Sequence, residues 1–231
     1  MFERKYNVVE LFDSIDGEGV RTGQPATFIR LAGCNLRCTY CDTLYALFGE
    51  AEPCRYEEWT LDGLLSRVNP VYRRVTLTGG EPLISPGAAE LVSALSRRGY
   101  EVNIETNGAV DICAFLKDCT HTEHVFFTID YKLPSSGMEQ HMHLPNFRSL
   151  RPQDVLKFVV GSEEDAARML ELLKAVAPAC QTMPHIYVGA VYGAYPAQRL
   201  VELILQEPLL KDSHLQVQLH KIIWDPDKRG V

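Results

Sequence analysis

Apolar residues recur along this chain in two alternating patterns. Short runs rich in Val, Ile, Leu and Phe at 8–12, 27–31, 74–78, 101–105, 125–130, 155–160, 186–190 and 215–219 predict strands. Between them, apolar residues fall three and four apart, which predicts helices. Leu61, Leu64, Leu65 and Val68 follow a capping Thr60, and Leu91, Val92 and Leu95 belong to a helix expected to start at Ser85 with Pro86 in its first turn. A short helix covers 112–117. Ala166, Met169, Leu170, Leu173 and Val176 form a stripe behind Ser162, with Glu163, Glu164 and Asp165 where the helix dipole favours acids. A last helix covers 196–206. Strand and helix in alternation predict a parallel sheet covered by helices, with its ligand site at the carboxyl ends of the strands. The polar, glycine-rich or cysteine-rich segments 14–19, 33–43, 79–82 and 106–108 all follow strands, so they converge on one rim. Only 131–152 has no pattern.

Composition narrows the class. A chain of 231 residues with 46% hydrophobic and 23% charged residues reads as one domain, 1–231, with a sizeable core. A formal charge of −7 opposes a protein built to hold nucleic acid, which needs a Lys/Arg surplus. No apolar run approaches a membrane span and no signal-peptide core opens the chain, so neither a membrane nor export is expected. Seven cysteines, an odd number, suit a reducing cytoplasm better than a disulfide framework.

Three of those cysteines, Cys34, Cys38 and Cys41, lie at C-x3-C-x2-C spacing directly after a strand. Soft thiolates on one loop suit an iron–sulfur cluster or zinc. A closed zinc site needs four ligands, and no local Cys or His supplies the fourth. An open corner is where a ligand can bind. Cys54, Cys113, Cys119 and Cys180 read as isolated thiols, and His141, His143 and His185 as ordinary surface or loop histidines.

The cysteine loop, together with Gly79-Gly80-Glu81-Pro82 at the end of the next strand, resembles the radical S-adenosylmethionine enzymes. Finer features are similar to the 7-carboxy-7-deazaguanine synthase family. They are Ser14-Ile15-Asp16-Gly17-Glu18-Gly19, Phe28-Ile29-Arg30, the whole of 33–43, Leu77 to Pro82, Glu105-Thr106-Asn107-Gly108, and the ending with Gln218-Leu219-His220-Lys221, Trp224 and Lys228 to Val231. The resemblance implies a partial (β/α)6-type open barrel with reduced helical cover, since the chain is short for a closed barrel of about 250 residues. It implies a carbon–nitrogen lyase that converts 6-carboxy-5,6,7,8-tetrahydropterin to 7-carboxy-7-deazaguanine and ammonia, on the route to queuosine and other 7-deazapurines. A 5′-deoxyadenosyl radical takes a substrate hydrogen and later returns it, so S-adenosylmethionine is used catalytically. A 4Fe–4S cluster, S-adenosylmethionine and Mg²⁺ are the implied cofactors. A homodimer and an external electron donor such as flavodoxin or ferredoxin are the implied partners.

Residue by residue, the resemblance implies that Cys34, Cys38 and Cys41 hold the cluster and that the Thr43 hydroxyl ligates magnesium. Ile15, Asp16, Gly17, Glu18, Arg30, Thr78 and the terminal Val231 are expected at the substrate. Tyr40, Asp42, Gly80, Glu81, Asn107, Asp130, Tyr131 and Lys132 are expected at S-adenosylmethionine, with Lys157 near them. Asp16 departs from the family, which more usually has Gln there. Arg30 is flanked by apolar residues on a strand pattern, and an arginine so placed needs a partner. A substrate carboxylate fits its planar fork, as does a structural ion pair. For Thr43 the plain alternative is a helix cap. For the whole chain the alternatives are a glycyl-radical-enzyme activase, which acts on a protein partner, and a non-catalytic iron–sulfur or zinc-binding module.

Overall fold

The computed structural model describes residues 4–48, 54–179 and 182–231; Cys180 lies outside them. Nine strands among the described residues form one sheet in the order β3-β1-β2-β4-β5-β6-β7-β8-β9. They are β1 (Lys5–Ile15), β2 (Pro25–Leu31), β3 (Glu57–Thr60), β4 (Arg74–Gly79), β5 (Glu101–Thr106), β6 (Val125–Tyr131), β7 (Val155–Val160), β8 (His185–Ala190) and β9 (His214–Gln216). From β2 to β9 every neighbouring pair is parallel, while β1 is antiparallel to both β2 and β3. Because β3 and β9 stand at opposite ends of the order, the sheet is an open barrel, as expected.

Helices α1 (Leu61–Arg67), α2 (Ala88–Arg97), α3 (Ile112–Asp118), α4 (Glu163–Val176) and α5 (Ala197–Gln206) cover the outer face, while the short α6 (His220–Ile223) turns His220 and Lys221 toward the cavity at the strand ends. Their apolar stripes pack on the outward residues of the strands. Leu91, Val92 and Leu95 of α2, and Met169, Leu173 and Val176 of α4, are all buried, each such side chain worth about 1.5–3 kcal/mol. Thr60 and Ser162 cap α1 and α4 as expected, accepting from the N–H of Gly63 and Asp165.

Two expectations give way. Ser85 does not cap α2. The segment Pro82–Ile84 makes a 3-10 turn first, and Gly87, at φ +87°, is the residue that opens the helix. The run 215–219 is strand only to Gln216, after which the chain leaves the sheet edge toward α6. The patternless stretch after β6 is compact rather than loose. It makes 3-10 turns at Pro134–Ser136, Glu139–His141 and Leu144–Arg148 and buries Phe147 against Tyr131, with the rings 5.0 Å apart. Its function is local support: Thr39 of the cysteine loop donates its N–H to the Ser136 carbonyl and its hydroxyl to the Ser135 carbonyl.

Candidate active site

The parallel register aligns the strand ends. Leu31 stands opposite Gly79, so the cysteine loop and the Gly-Gly-Glu-Pro turn leave the sheet side by side. The Gly80 N–H donates to the Leu31 carbonyl at 3.2 Å, and the Glu81 N–H to the Gly33 carbonyl at 2.8 Å. Such approach requires glycine: a Cβ on Gly80 would run into the Gly33 carbonyl and stand 2.7 Å from the Cys34 Cβ.

Cys34, Cys38 and Cys41 are free, half-buried thiols. They are near enough that a charge on one disfavours a charge on another; burial pushes Cys34 and Cys38 up, and the neighbouring cysteines add to it. Cys34 Sγ accepts from the Leu36 N–H at 3.4 Å and the Asn107 side-chain amide at 3.6 Å. Hydrogen bonds to sulfur of this kind tune iron–sulfur centres. Among the described residues no three of His, Cys, Asp and Glu converge closely enough to hold one ion. Three thiols on one loop fit a cluster with one open corner and fall one ligand short of a closed zinc site.

The rim encloses a cavity of about 910 Å³, within the usual range for a small-molecule site. Cys41, Asp42, Thr43, Gly80, Asn107, Asp130 and Lys132 line it, and so do Ile15, Gly17, Glu18, Arg30, Thr78 and Val231. Five acidic and six basic side chains share the wall, so the cavity is not acidic although the chain is. That balance accommodates ligands carrying carboxylates.

Four of the residues expected at the ligands do not turn their side chains into the cavity. Asp16 is turned away from the cavity into a buried pair with Arg21. Glu81 is fully buried as a brace: its carboxylate accepts from the Leu83 N–H (2.9 Å), the Asn107 N–H (2.7 Å) and the Thr106 hydroxyl (2.9 Å). Tyr131 is buried, its hydroxyl donating to Glu139. Tyr40 does not line the cavity; its buried hydroxyl has no protein partner, and burial, then Asp130, pushes its pKa up. In each case the alternation of a strand or the tightness of a turn sends the side chain inward, leaving at most the backbone at the rim.

Lys157 on β7, expected near the cofactor residues, lines the cavity beside Glu18, and so does Glu105 on β5, which pattern alone does not single out. Lys157 pairs with Glu18; burial lowers its pKa, but Glu18, Asp130 and Glu105 outweigh this and hold it above the ordinary lysine value. A lysine within the apolar run 155–160 was the available signal. The chain end supplies His220, Lys221 and residues 226–231 to the wall. Arg229 lies 3.9 Å over the Tyr45 ring, and Lys221 is 3.4 Å from Asp42.

Arg30 makes the structural ion pair that one of its two readings anticipates. A bulge at β1 between Val8 and Glu10 brings Glu10 opposite Arg30. The Arg30 Nε donates to Glu10 at 2.7 Å, and Tyr45 donates to the same oxygen at 2.9 Å. One edge of the guanidinium is anchored while the residue still lines the cavity.

Residues 28–183 match the Radical SAM superfamily. The chain is 42% identical to 7-carboxy-7-deazaguanine synthase of Clostridium acetobutylicum, over 98% of this chain and 99% of that one. It belongs to the 7-carboxy-7-deazaguanine synthase family of radical SAM enzymes. The family member from Chlorobaculum tepidum is 37% identical, over 99% of each chain. The crystal structure of QueE from Escherichia coli superposes with a TM-score of 0.73 at 25% identity, covering 93% of this chain and 94% of that one. Streptococcus suis SuiB bound to S-adenosylmethionine shares the fold alone, with a TM-score of 0.51 at 12% identity over 80% of this chain and 44% of that one. Membership in the superfamily implies a 4Fe–4S cluster and S-adenosylmethionine, and the three thiols fit that cluster.

The Glu81 brace gives a stability prediction. Burial pushes its carboxyl up to about 7, against the hydrogen bonds that pull it down. Its folded pKa exceeds the unfolded one, so its contribution is best below the unfolded value and declines as pH rises from about 4.5 toward 7. Glu81→Gln would place an amide NH2 among N–H and O–H donors. It should cost about 1–3 kcal/mol in urea unfolding of the apoprotein and loosen the cysteine loop. An unchanged midpoint would show that the brace contributes nothing.

Proposed function

We propose that this chain, acting as one domain over residues 1–231, catalyses the radical ring contraction of 6-carboxy-5,6,7,8-tetrahydropterin to 7-carboxy-7-deazaguanine with release of ammonia. The observation that carries this reading is convergence: a cluster-type cysteine loop, the glycine turn beside it, an anchored arginine and the segment 226–231 all open on one cavity. Cys34, Cys38 and Cys41 would hold the cluster. When bound, cluster and S-adenosylmethionine supply reductive radical initiation. Gly80, Asn107, Asp130 and Lys132 line the part of the wall assigned to S-adenosylmethionine, while Glu81 and Tyr131 act from behind it. Arg30 presents its unanchored edge to the pterin carboxylate, a match for bidentate recognition. Gly17, Glu18, Thr78 and Val231 complete the pterin site. On this reading the chain is a cytoplasmic enzyme that works as a homodimer and draws electrons from a flavodoxin or ferredoxin; no helix among the described residues is long and apolar enough to cross a membrane.

Mg²⁺ belongs to this reading through Thr43. Its side chain makes no helix-capping bond; it donates instead to Asp42 Oδ1 at 2.9 Å on the cavity wall. A hydroxyl and a carboxylate side by side suit a hard cation that also takes water and substrate oxygens. Thr43→Ala should raise the Mg²⁺ concentration for half-maximal rate by about tenfold, equivalent to roughly 1.4 kcal/mol, with saturating Mg²⁺ restoring much of the rate. An unshifted Mg²⁺ titration would remove Thr43 from the site.

The function itself is tested by anaerobic incubation of reconstituted protein with carboxytetrahydropterin, S-adenosylmethionine, Mg²⁺ and dithionite. The deazapurine should accumulate in large excess over S-adenosylmethionine consumed. Cleavage of S-adenosylmethionine without deazapurine would leave the superfamily standing and refute the substrate. Turnover of the pterin by this chain alone would exclude an activase that needs a protein partner.

A further inference from the structure

The loop joining β1 to β2 crosses the inside of the open barrel. Its neck is closed by backbone bonds from Asp16 N–H to the Gln24 carbonyl and from Gly23 N–H to the Asp16 carbonyl, both 2.8 Å. Beyond the neck it touches strands on both sides. Glu18 pairs with Lys157 on β7, and the Gly19 N–H donates to Gln216 Oε1 on β9 at 2.7 Å. Arg21 reaches the other way. Its NH2 donates to the Val75 carbonyl (3.1 Å) and Thr76 Oγ1 (2.5 Å) on β4, its NH1 donates to the Glu101 carbonyl on β5 (3.3 Å), and its Cζ lies 5.4 Å over the Phe126 ring on β6.

The Arg21 side chain is 4% exposed and that of Asp16 2%. Arg21 Nε lies 2.9 Å from Asp16 Oδ2, a charge contact without hydrogen-bond alignment, while the Thr76 hydroxyl donates to Asp16 Oδ1 at 2.6 Å. Three side chains thus close a ring under the cavity. Between the two charged partners stand Gly17 and Glu18, which line it.

A buried ion pair is weak evidence of net stability, because desolvation offsets attraction; its best use is to fix one geometry. Here both partners sit on the same short loop, so the pair adds little long-range crosslinking. What it fixes is the height of the segment between them.

We propose that Asp16 and Arg21 are positioning residues whose buried pair sets the Gly17–Glu18 floor of the substrate cavity, so that they govern pterin affinity without touching the pterin. This rests on the reading of that cavity as the pterin site. Displacing a positioned group by about 1 Å is enough for a large kinetic effect.

The test is steady-state kinetics on reconstituted holoenzyme for Asp16→Asn, Arg21→Gln, the double variant and Glu18→Gln. Each loop single should raise the pterin KM about tenfold with kcat and the KM for S-adenosylmethionine nearly unchanged, the signature of lost binding rather than lost chemistry. The double variant should show about the same rise as either single, not the product of the two, because they act as one unit. A single that fails to fold leaves the double, which carries no unpaired buried charge; its pterin KM should still rise several-fold. Wild-type KM in the folded variants, equal losses in kcat, or multiplicative effects would overturn the proposal. If Glu18→Gln also left the pterin KM unchanged, the fault would lie in the substrate reading. If Glu18→Gln raised it while Asp16→Asn did not, only the positioning role would fail.

Discussion

Cys38→Ser removes both the iron–sulfur chromophore and all deazapurine formation, while the apoprotein stays folded. Cys38 is the middle one of the three proposed cluster ligands, on a loop held from behind by Thr39 bonding to residues 135 and 136. Serine keeps the size and the loop but replaces a soft thiolate by a hard, poorly ionised hydroxyl, which iron–sulfur clusters do not accept as an equal. Two thiolates on one loop cannot hold three corners of a cluster. Iron content after anaerobic reconstitution, visible absorption and 5′-deoxyadenosine release should therefore fall together. Cys113→Ser is the matched control, since Cys113 is exposed on α3, away from the loop, and it should retain iron and rate. Full iron loading in Cys38→Ser would sink the ligand assignment.

That result depends on residues legible in the sequence, because spacing within one loop carries the information. The parallel strands and most helices were equally plain: their apolar periods are local properties, and Thr60 and Ser162 announce their helices. Where side chains point was less legible. Asp16 and Glu81 sit inside motifs that read as binding segments, yet both are braces, because burial and partner choice are settled by residues 76, 106 and 107, far away in the chain. Ser85 and Pro86 look like a helix start, but the turn at Pro82–Ile84 uses up that stretch. Strand β3 carries no signal in its sequence, its four residues Glu57–Thr60 showing no apolar alternation. Residues 131–152 lack a period because their order comes from single long-range contacts such as Asn146 to the Gly108 and Val110 carbonyls. Lys157 was visible as a charge in an apolar strand, but its partners were not.

Those partners make Lys157→Met the other substitution of large effect. The lysine side chain is 13% exposed and pairs with Glu18, with Glu105 and Asp130 close enough to feel its charge. Removing it takes the paired cation from Glu18 and the nearest opposing charge from Glu105, while Asp130 keeps its pair with Lys132 at 2.8 Å. Breaking a buried pair on one side costs about 3–5 kcal/mol, and the Glu18 carboxylate would lose its fixed position. The pH dependence distinguishes this cause from simple loss of packing. Burial already raises the Glu105 carboxyl, with Lys157 the chief opposing influence. Without Lys157 its folded pKa rises further above the unfolded value. Such a group binds more protons folded than unfolded, so stability is retained below the unfolded carboxyl pKa and is lost as pH rises through the folded one. In the parent the lysine's own raised pKa keeps its charge through the neutral range, so its contribution lasts until strongly alkaline pH. Urea unfolding of the two apoproteins should therefore show a deficit that is smaller at about pH 5 than at about pH 8, with pterin turnover lost at both. A deficit independent of pH would mean that the aliphatic stem, and not the charge, is what the site requires of this residue.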